Sequence, residues 1–234
     1  MKDVKFVVAR YEKDGYDNFL KMTIENNDNL LFDTRFVWND EADGIYAKYN
    51  LGIDYHVNKG LKDDDIIVFC HADVNIVDKK FDKKLKSAFE LLPTLGVAGV
   101  IGSLELTDKC GWWYCNRKHQ KGRVIQFNEK SSYYLTKEQG NFASVCVVDG
   151  LFMAVRGSLV KKLRFDNNSF PCSYNFYDYD YCLSARELNY TIGVFDILME
   201  HNSIGAGIFQ NDWINNKNVF MQKWINKGYS FPIR

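Results

Sequence analysis

The sequence predicts an α/β protein whose mostly parallel central sheet is flanked by helices within a single domain. Over the first hundred residues, short apolar runs typical of buried strands alternate with helical patterns. Such alternation is typical of parallel strands joined by right-handed crossovers. The length of 234 residues and the 46% hydrophobic content also allow a sizeable core.

Four strands are predicted in this first part of the chain, at Val4–Ala9, Thr34–Trp38, Ile66–Cys70 and Gly96–Ile101. The clearest helix covers 79–92, where one face carries Phe81, Leu85, Ala88, Phe89 and Leu92. We expect Asp78 to cap the start of this helix and Pro93 to end it.

The second half of the chain begins with a change of character. Residues 103–143 are aromatic and polar, which predicts a hairpin-rich insertion or a long functional loop. Strand character returns at 144–155, interrupted by Asp149-Gly150. A helix follows from Phe176 to near Asn189, then a strand at 191–197. A last helix is expected at 212–228, capped by Asp212 and ended by Gly228.

Composition narrows the function classes. Lys+Arg and Asp+Glu both number 30, and this zero formal net charge argues against a nucleic-acid partner. The 6 Cys contain no C-x-x-C pair, so we expect reduced thiols and a cytoplasmic protein. Cys110 and Cys115 are close enough in sequence to pair or to share a metal, but no second pair supports a zinc site. We expect no signal peptide and no membrane span.

The predicted strand at 66–70 runs directly into His71 and, two residues on, Asp73. In an extended chain these side chains share a face, so the strand either leaves the core here or presents a ligand site. Asp73 is suited to Mg²⁺ or Mn²⁺ if a diphosphate supplies further oxygens, and His201 is a candidate to complete the shell. Ligands of parallel sheets bind beyond the carboxyl ends of the strands.

Asp178 and Asp180 lie where a helix is predicted to start. Acidic residues there ordinarily cap amides and complement the helix dipole. The same dipole keeps a carboxylate ionised, which a general base also needs. The spacing alone does not choose between the two residues.

Four motifs in order resemble the family-2-like glycosyltransferases of the GT-A fold, particularly a short glycosyltransferase-like group whose metal motif is His-x-Asp. The resemblance covers about residues 4–205 and lies in Ile45-Tyr-Ala-Lys-Tyr-Asn-Leu-Gly-Ile53, Ile67-Val-Phe-Cys-His-Ala-Asp73, Val148-Asp-Gly-Leu-Phe-Met-Ala-Val-Arg156 and Phe176-Tyr-Asp-Tyr-Asp-Tyr-Cys-Leu-Ser-Ala-Arg186, followed by His201. Three departures stand out: His71 replaces the first Asp of Asp-x-Asp, Tyr177 stands where Glu is common, and Ala9-Arg10-Tyr11 replaces Pro-Thr-Tyr-Asn.

The resemblance implies an inverting, metal-dependent transfer of sugar from a nucleotide-sugar donor, expected to be UDP-linked, to a saccharide or glycolipid acceptor in polysaccharide biosynthesis. It implies Mn²⁺ or Mg²⁺ held by Asp73 and His201, and Asp178 as the base. The implied donor-binding residues are Ala9, Asn39, Tyr49, Asn50 and His71, with His71 facing the ribose, and the implied acceptor-binding residues are Asp149, Gly150, Trp112, Trp113 and Asp180. Within the single domain 1–234, residues 1–102 would bind the donor, 103–205 the acceptor, and 206–234 would form a helical segment.

Alternatives remain open at this point. The chain could be a non-catalytic nucleotide- or sugar-binding relative, or a metal-dependent phosphohydrolase that uses Asp73 with the Asp178/Asp180 pair. The aromatic residues at 112–114 form either an acceptor platform or a hydrophobic plug beneath a loop. The last helix either docks on the domain or makes a peripheral contact with the inner face of the membrane.

Overall fold

Strands and helices alternate along the chain, as the sequence predicts. The computed structural model describes residues 3–10, 32–128, 131–134, 142–203 and 210–234. Its strands are β1 Val4–Ala9, β2 Asp33–Val37, β3 Ile66–His71, β4 Val74–Ile76, β5 Leu95–Gly99, β6 Ile101–Ser103, β7 Gln120–Gly122, β8 Ile125–Asn128, β9 Ser131–Tyr134, β10 Phe142–Ser144, β11 Val147–Val148, β12 Phe152–Arg156, β13 Thr191–Phe195 and β14 Met199–Asn202. Its α-helices are α1 Gly44–Asn58, α2 Phe81–Leu91, α3 Gly157–Val160, α4 Tyr177–Glu187 and α5 Gln210–Asn226.

A seven-stranded sheet forms the centre, in the order β10-β13-β5-β12-β3-β1-β2. Strands β2, β1 and β3 are parallel neighbours, and β5 and β13 are parallel to each other. Only β12 and β10 run against the rest of this sheet. The predicted fold class, an α/β protein with a mostly parallel central sheet, is confirmed.

The apolar run of β3 lies in the middle of this sheet, between β1 and β12. Ile66 to Cys70 are all fully buried, because both faces of a central strand are covered. The buried apolar side chains around them form one continuous cluster. The carboxyl end of β3 is therefore fixed rigidly where the chain turns polar.

Two smaller sheets are also present in the part of the chain that the structure describes, in the orders β11-β6-β7 and β4-β14-β8-β9. The strand expected at 96–101 is split by this arrangement. It breaks at Val100, after which β6 leaves the central sheet to pair with β11 and β7. The hairpin expected within 103–143 is present as β8 and β9.

The helix expected at 79–92 is α2, and its predicted apolar face is buried. Asp78 is not its N-cap, because the capping position is Lys80. The Asp78 carboxylate instead accepts a hydrogen bond from the Lys80 N–H at 3.0 Å, which turns the chain into the helix. The predicted cap is thus displaced by two residues.

Helix α5 packs against the rest of the domain. Of the two alternatives for this segment, the structure shows docking on the domain. Phe220 and Trp224 of this helix are fully buried. The helix starts at Gln210, so Asp212 lies in its first turn and does not cap it. The predicted stop at Gly228 is confirmed: its φ is +89°, its N–H bonds Ile225 O, and the next N–H bonds Trp224 O.

Among the helices within the described ranges, none combines the length and the apolar character that a bilayer span requires.

Candidate functional site

Three potential metal ligands meet at the carboxyl end of β3. His71 is the last residue of that strand, and Asp73 lies in the turn that leads into β4. Strand β4 pairs with β14, and this pairing sets His201 opposite Val74. The Asn202 N–H also bonds the Asp73 carbonyl at 2.9 Å. Strand pairing thus brings together residues 128 positions apart in sequence, 73 and 201.

The side chains of this cluster point at a common centre. His201 Nε2 lies 3.4 Å from Asp73 Oδ1, and His71 Nδ1 lies 4.0 Å from the same oxygen. One ligand atom from each residue falls within 4.8 Å of the others. Within the described ranges, this is the one group of three His, Cys, Asp or Glu side chains with such spacing. The extended-strand argument for His71 and Asp73 was wrong in its premise, because β3 ends at His71 and the turn positions Asp73.

Hydrogen bonding orients the His201 ring. Its Nδ1–H donates to Oε1 of Gln126 at 3.1 Å, and Gln126 is the partner of His201 in the parallel pairing of β8 with β14. Gln126 is itself buried and donates from Nε2 to the Ser203 carbonyl at 2.5 Å. With Nδ1 used by Gln126, Nε2 is the His201 nitrogen that faces the cluster and could coordinate a cation once it is unprotonated. That nitrogen is buried, and no described residue gives it a hydrogen bond of good geometry.

The His71 ring is oriented from the opposite side. Its Nε2 lies 2.6 Å from the hydroxyl of Tyr177, the first residue of α4. The Tyr177 contact occupies Nε2, so Nδ1 is the His71 nitrogen that faces Asp73 and His201. Both imidazoles therefore have one nitrogen held by the protein and the other directed into the cluster.

The pKa shifts of His71 and Asp73 favour the forms that bind a cation, whereas the pKa shift of His201 favours its protonated form, whose proton a cation would displace. Burial lowers the pKa of His71 below its ordinary value, although Asp73 opposes the effect. Burial raises the pKa of Asp73, but the close contact with His201 and the positive charge of its protonated ring outweigh burial, and the net pKa is lowered. For His201, burial is likewise outweighed by Asp73, so its pKa is raised. An ionised carboxylate and neutral imidazoles are the forms that bind metal.

The candidate base Asp178 lies on the neighbouring helix α4, directly after Tyr177. Its Oδ2 accepts a hydrogen bond from the Gly150 N–H and its Oδ1 one from the Tyr179 N–H, both at 2.9 Å. Burial, followed by the negative charge of Asp149, raises the pKa of Asp178 to about 8. A carboxyl with such a pKa can exchange a proton near physiological pH.

Gly150 allows α4 and the end of β3 to approach each other. A Cβ at this position would lie 2.1 Å from the Tyr177 hydroxyl, which no side chain could tolerate. The absence of a side chain lets Tyr177 reach His71 while the Gly150 amide holds Asp178. The Asp-Gly motif thus connects the two sides of the site.

Asp149 and Trp112 form a pair beneath this connection. Asp149 Oδ2 accepts from the Trp112 indole N–H at 2.7 Å, and Oδ1 accepts from the Leu151 N–H. Trp112 is only 3% exposed, so its predicted role as an acceptor platform is corrected to support of Asp149. Trp113 and Tyr114 are exposed at 39% and 51% and remain candidates for acceptor contact.

Asp180 is turned away from the site. It is buried, and its carboxylate accepts from Lys223 Nζ at 2.8 Å and from the Trp224 indole N–H at 3.0 Å. The predicted acceptor contact of Asp180 is therefore replaced by a structural one, since both oxygens hold α5. Asp178 and Asp180, which the sequence leaves equivalent, separate into a site residue and a packing residue.

Among the predicted donor-binding residues other than His71, Ala9 is the cross-strand partner of His71, and the others are engaged in packing or in hydrogen bonds within the domain. Ala9 ends β1 and is buried, and Asn39 follows β2, is exposed and accepts a hydrogen bond from Lys48. Tyr49 is fully buried and packs against Phe69, so it supports the sheet edge from beneath instead of presenting a surface to a ligand. The Asn50 amide is used by the backbone N–H and carbonyl of Phe165. Tyr11 lies outside the described residues.

Sequence reasoning missed two residues that orient the cluster, and it assigned His71 to the donor ribose while leaving its part in a ligand site with Asp73 open. Gln126 lies in the aromatic insertion, where nothing local marks it as a partner of His201. Tyr177 was noted only as a departure from the common Glu. Its contact with His71 is a tertiary feature that no local pattern reveals.

The sequence and the fold of the chain are similar to those of known glycosyltransferase-like proteins. A model of the glycosyltransferase-like family matches residues 38–228. Among curated proteins, none matches the sequence significantly. Similar solved structures include A197 from STIV, at 12% identity with a TM-score of 0.51, where the match covers 84% of this chain and 82% of that one.

Two further structures contain sugar nucleotide components and manganese. The mannosyltransferase PcManGT from Pyrobaculum calidifontis, in complex with GDP-Man and Mn²⁺, matches with a TM-score of 0.57 at 13% identity over 97% of this chain and 65% of its own. GalNAc-T7 with UDP, GalNAc and Mn²⁺ matches with a TM-score of 0.53 at 8% identity over 88% of this chain and 45% of its own. The chain thus spans less than two thirds of the length of either enzyme.

The central sheet and these neighbours define a GT-A glycosyltransferase fold. Within that class, the chain belongs to the glycosyltransferase-like family, whose model covers most of its length.

Proposed function

We propose that the protein is a metal-dependent glycosyltransferase that moves a sugar from a nucleotide-sugar donor to an acceptor hydroxyl with inversion. The observation that carries the proposal is the convergence of His71, Asp73 and His201 at the carboxyl end of a central strand. Asp178 lies on the adjacent helix and is linked to this cluster through Gly150 and Tyr177. Membership of the glycosyltransferase-like family gives the reaction class.

The residues of the cluster fit a divalent cation, Mn²⁺ or Mg²⁺. They offer a carboxylate and two imidazole nitrogens, and the buried His201 Nε2 otherwise lacks a hydrogen bond among the described residues. A cation bound there supplies positive charge for the departing diphosphate. Asp73, His71 and His201 hold it, and Gln126 and Tyr177 keep the two rings oriented.

Asp178 performs the proton chemistry in this proposal. Its ionised carboxylate takes the proton from the acceptor hydroxyl, the hydroxyl oxygen bonds to the anomeric carbon, and the bond from that carbon to the donor diphosphate breaks. Attack from the face opposite the diphosphate inverts the anomeric centre. The Gly150 and Tyr179 amides hold Asp178 in place, so positioning supplies much of the rate enhancement.

The donor is proposed to be UDP-linked, with a GDP-linked sugar as the second choice. The two manganese-containing neighbours carry GDP-Man in one case and UDP with GalNAc in the other, which supports a sugar nucleotide as the class. The acceptor is proposed to be a saccharide or glycolipid. Trp113 and Tyr114, which directly follow the buried Trp112, offer exposed aromatic surface for such an acceptor.

The experiment measures nucleotide release from UDP- and GDP-sugars with Mn²⁺, with and without saccharide acceptors. Asp73→Asn should abolish metal-dependent turnover. Asp178→Asn should slow transfer by about a hundredfold or more while nucleotide binding persists. Asp64→Asn is the matched control, since Asp64 is exposed at the amino end of β3, on the opposite edge of the sheet.

The outcomes separate the alternatives. Full metal-dependent turnover in Asp73→Asn would contradict the metal assignment. Nucleotide binding without release from any donor would favour a non-catalytic relative. Phosphate release from simple phosphoesters would favour a hydrolase, although the described residues hold a single His/Asp cluster and no second one for a two-metal site.

A further inference from the structure

We infer that the acceptor is a saccharide that carries a phosphate or diphosphate group. Its sugar ring stacks on an aromatic surface formed by Trp113, Tyr114 and Trp213. Its phosphate is bound by Lys109 and Lys217 at the edge of that surface. The inference deepens the proposed function and rests on it, because an acceptor requires a transferase, and it extends the acceptor side to helix α5.

The three rings of the aromatic surface come from two separate parts of the chain. Trp113 and Tyr114 belong to the 3₁₀ turn Trp112–Tyr114, and Trp213 lies in the first turn of α5. The ring centroids of Trp113 and Tyr114 are 5.6 Å apart, and those of Tyr114 and Trp213 are 6.3 Å apart. A Cβ at Gly111 would lie 2.8 Å from the rings of both Trp113 and Tyr114, so these rings lie directly over the backbone. Neighbouring rings held in this way offer one apolar face to the C–H side of a sugar.

Both parts of the aromatic surface are joined to residues around the base. Trp112 donates its indole N–H to Asp149 at 2.7 Å, and the amide that follows Asp149 holds Asp178. From the other part, Trp213 packs against Phe176, two residues before Asp178, with the ring centroids 5.4 Å apart. An acceptor on this surface is therefore held next to the elements that position the base.

Two lysines border the aromatic surface. Lys109 Nζ lies 5.9 Å from the centre of the Tyr114 ring, and Lys217 Nζ lies 5.7 Å from the centre of the Trp213 ring. Among the described residues, no carboxylate forms an ion pair with either lysine. Burial raises the pKa of the Cys110 thiol to about 12, and the charge of Lys217 is the largest influence that lowers it. Lys217 therefore lies close to the residue that follows Lys109, and both ammonium groups act on the same part of the surface.

The turn that presents Lys109 is held in a strained conformation. The Cys110 N–H bonds the Thr107 carbonyl at 2.9 Å, and the φ of Cys110 is +55°. Such a φ costs free energy for a residue other than glycine, and strain of this kind is concentrated at functional sites. The position of Lys109 is thus fixed by the backbone of the turn.

The charge at this edge favours an anion. Of the two acidic residues on the same elements, Asp212 accepts a hydrogen bond from the Cys172 thiol and Asp108 is exposed. The two lysines therefore outnumber the remaining acid. Lysine binds phosphate as a point charge, whereas bidentate recognition of a carboxylate favours arginine, so phosphate is the anion that fits.

Binding of hexose 1-phosphates tests the inference without sugar transfer. Glucose, galactose and mannose 1-phosphate are titrated into the protein without metal or nucleotide, with the methyl glycosides of the same sugars as uncharged counterparts. Tryptophan fluorescence measures the binding. At least one hexose 1-phosphate should bind about tenfold more tightly than its methyl glycoside at low salt, and the difference should shrink as the salt concentration rises.

Substitutions separate the charge from the stacking. Lys109→Gln and Lys217→Gln should each weaken hexose 1-phosphate binding about two- to fivefold, and the double change about tenfold, while methyl glycoside binding stays the same. Lys217→Arg keeps the charge and should keep the affinity. Trp113→Ala should weaken the binding of charged and uncharged sugars alike. Lys83→Gln, at an exposed lysine of α2, is the matched control, and thermal melting checks the fold of each variant.

A second arm of the experiment identifies the source of the phosphate. Phosphatidylcholine vesicles that carry a polyprenyl phosphate derivative of the same hexose present the group on a lipid, and pelleting measures binding. Tighter binding to these vesicles than to the soluble hexose 1-phosphate indicates a lipid-linked acceptor, and equal binding a soluble one; both support a phosphorylated acceptor. Equal pelleting on phosphatidylglycerol vesicles without sugar would instead show a general membrane surface and overturn the inference.

Three further results would overturn the inference. They are equal affinity for hexose 1-phosphates and methyl glycosides, no binding of either, and hexose 1-phosphate binding that the folded lysine variants leave unchanged. Lysine-dependent binding without transfer from any donor would keep a phosphorylated saccharide as the ligand and refute the proposed function. Transfer to uncharged saccharides with no gain from a phosphate would support the proposed function and refute the inference.

Discussion

The ion pair that anchors α5 leads to a stability prediction for Lys223→Met. Lys223 Nζ lies 2.8 Å from both Asp180 Oδ2 and Asp166 Oδ2. The Asp180 side chain is 5% exposed, and its other oxygen already accepts from Trp224. Removing the lysine charge leaves a buried carboxylate with one hydrogen bond from α5 and no cation.

The magnitude follows from that burial. Removing one partner of a buried pair typically costs about 3–5 kcal/mol. The Lys223 side chain is 21% exposed and Asp180 can take up a proton, so we expect a loss of about 3 kcal/mol, at the lower end of that range. For a chain of this length, the melting temperature should fall by about 6–12 °C.

The sign of the pH dependence is a further check. Burial raises the pKa of Asp180 even with Lys223 present. Without the lysine that pKa rises further above its unfolded value, so stability is retained at low pH and lost as pH rises through the folded pKa. The deficit of Lys223→Met relative to wild type should therefore be larger at pH 8 than at pH 5.

Urea denaturation at both pH values measures the effect, and a double variant tests its cause. Asp180→Asn combined with Lys223→Met removes both charges and keeps an oxygen for the Trp224 indole, so it should recover at least about 1 kcal/mol of the loss. A loss below about 1 kcal/mol in Lys223→Met at pH 8, the value of an exposed pair, would refute this reasoning. Strict additivity of the two changes would refute it as well.

Three further predictions concern the base, the strained turn before α4 and the last helix. Asp149→Asn removes a negative charge that, together with burial, raises the pKa of Asp178. Because the base works when ionised, the pH at which the transfer rate rises should move to a lower value. An unchanged pH–rate profile would exclude an electrostatic effect of Asp149 on Asp178. Asn216 is fully buried, and its amide hydrogen-bonds the backbone at Cys172 and Asn175, before α4. Asn216→Ala should therefore lower the free energy of unfolding by about 1–3 kcal/mol in urea denaturation, whereas Asn218→Ala, at an exposed position, should cost little. Equal effects of the two changes would contradict a clamp by Asn216 on this backbone turn. Deleting residues 212–234 should lower the melting temperature of the whole domain in detergent-free buffer; unchanged melting with loss of pelleting on anionic vesicles would support the membrane alternative.

The backbone before α4 explains why this clamp is needed. Asn175 and Phe176 both have positive φ, at 67° and 68°, which costs free energy for residues other than glycine. The Asn216 amide and the Tyr46 hydroxyl both donate to the Asn175 carbonyl. This turn delivers Tyr177 to His71 and Asp178 to Gly150, so a residue of α5 helps to set the geometry of the site.

Much of the fold could be predicted from the sequence because the relevant forces are local. The unbroken apolar run at 66–70 indicates a central strand, and the apolar face at 81–89 indicates an amphipathic helix. Prediction failed where local patterns end: the break at Val100 depends on pairing with β11, and the cap of α2 depends on how Asp78 turns the chain.

For the site, the candidate side chains can be identified from the sequence: His71 and Asp73 after a buried strand, an Asp-Gly pair, two carboxylates at a helix start, and a histidine after the last strand of the sheet. How these side chains are used depends on the folded packing. Pairing of β14 with β4 and β8 brings His201 to Asp73 and Gln126, and burial against Lys223 removes Asp180 from the site while Asp178 stays. The physical reason is that side-chain availability is a property of position along the chain, whereas hydrogen-bond partners, burial and pKa depend on residues far apart in sequence that only the folded packing brings together.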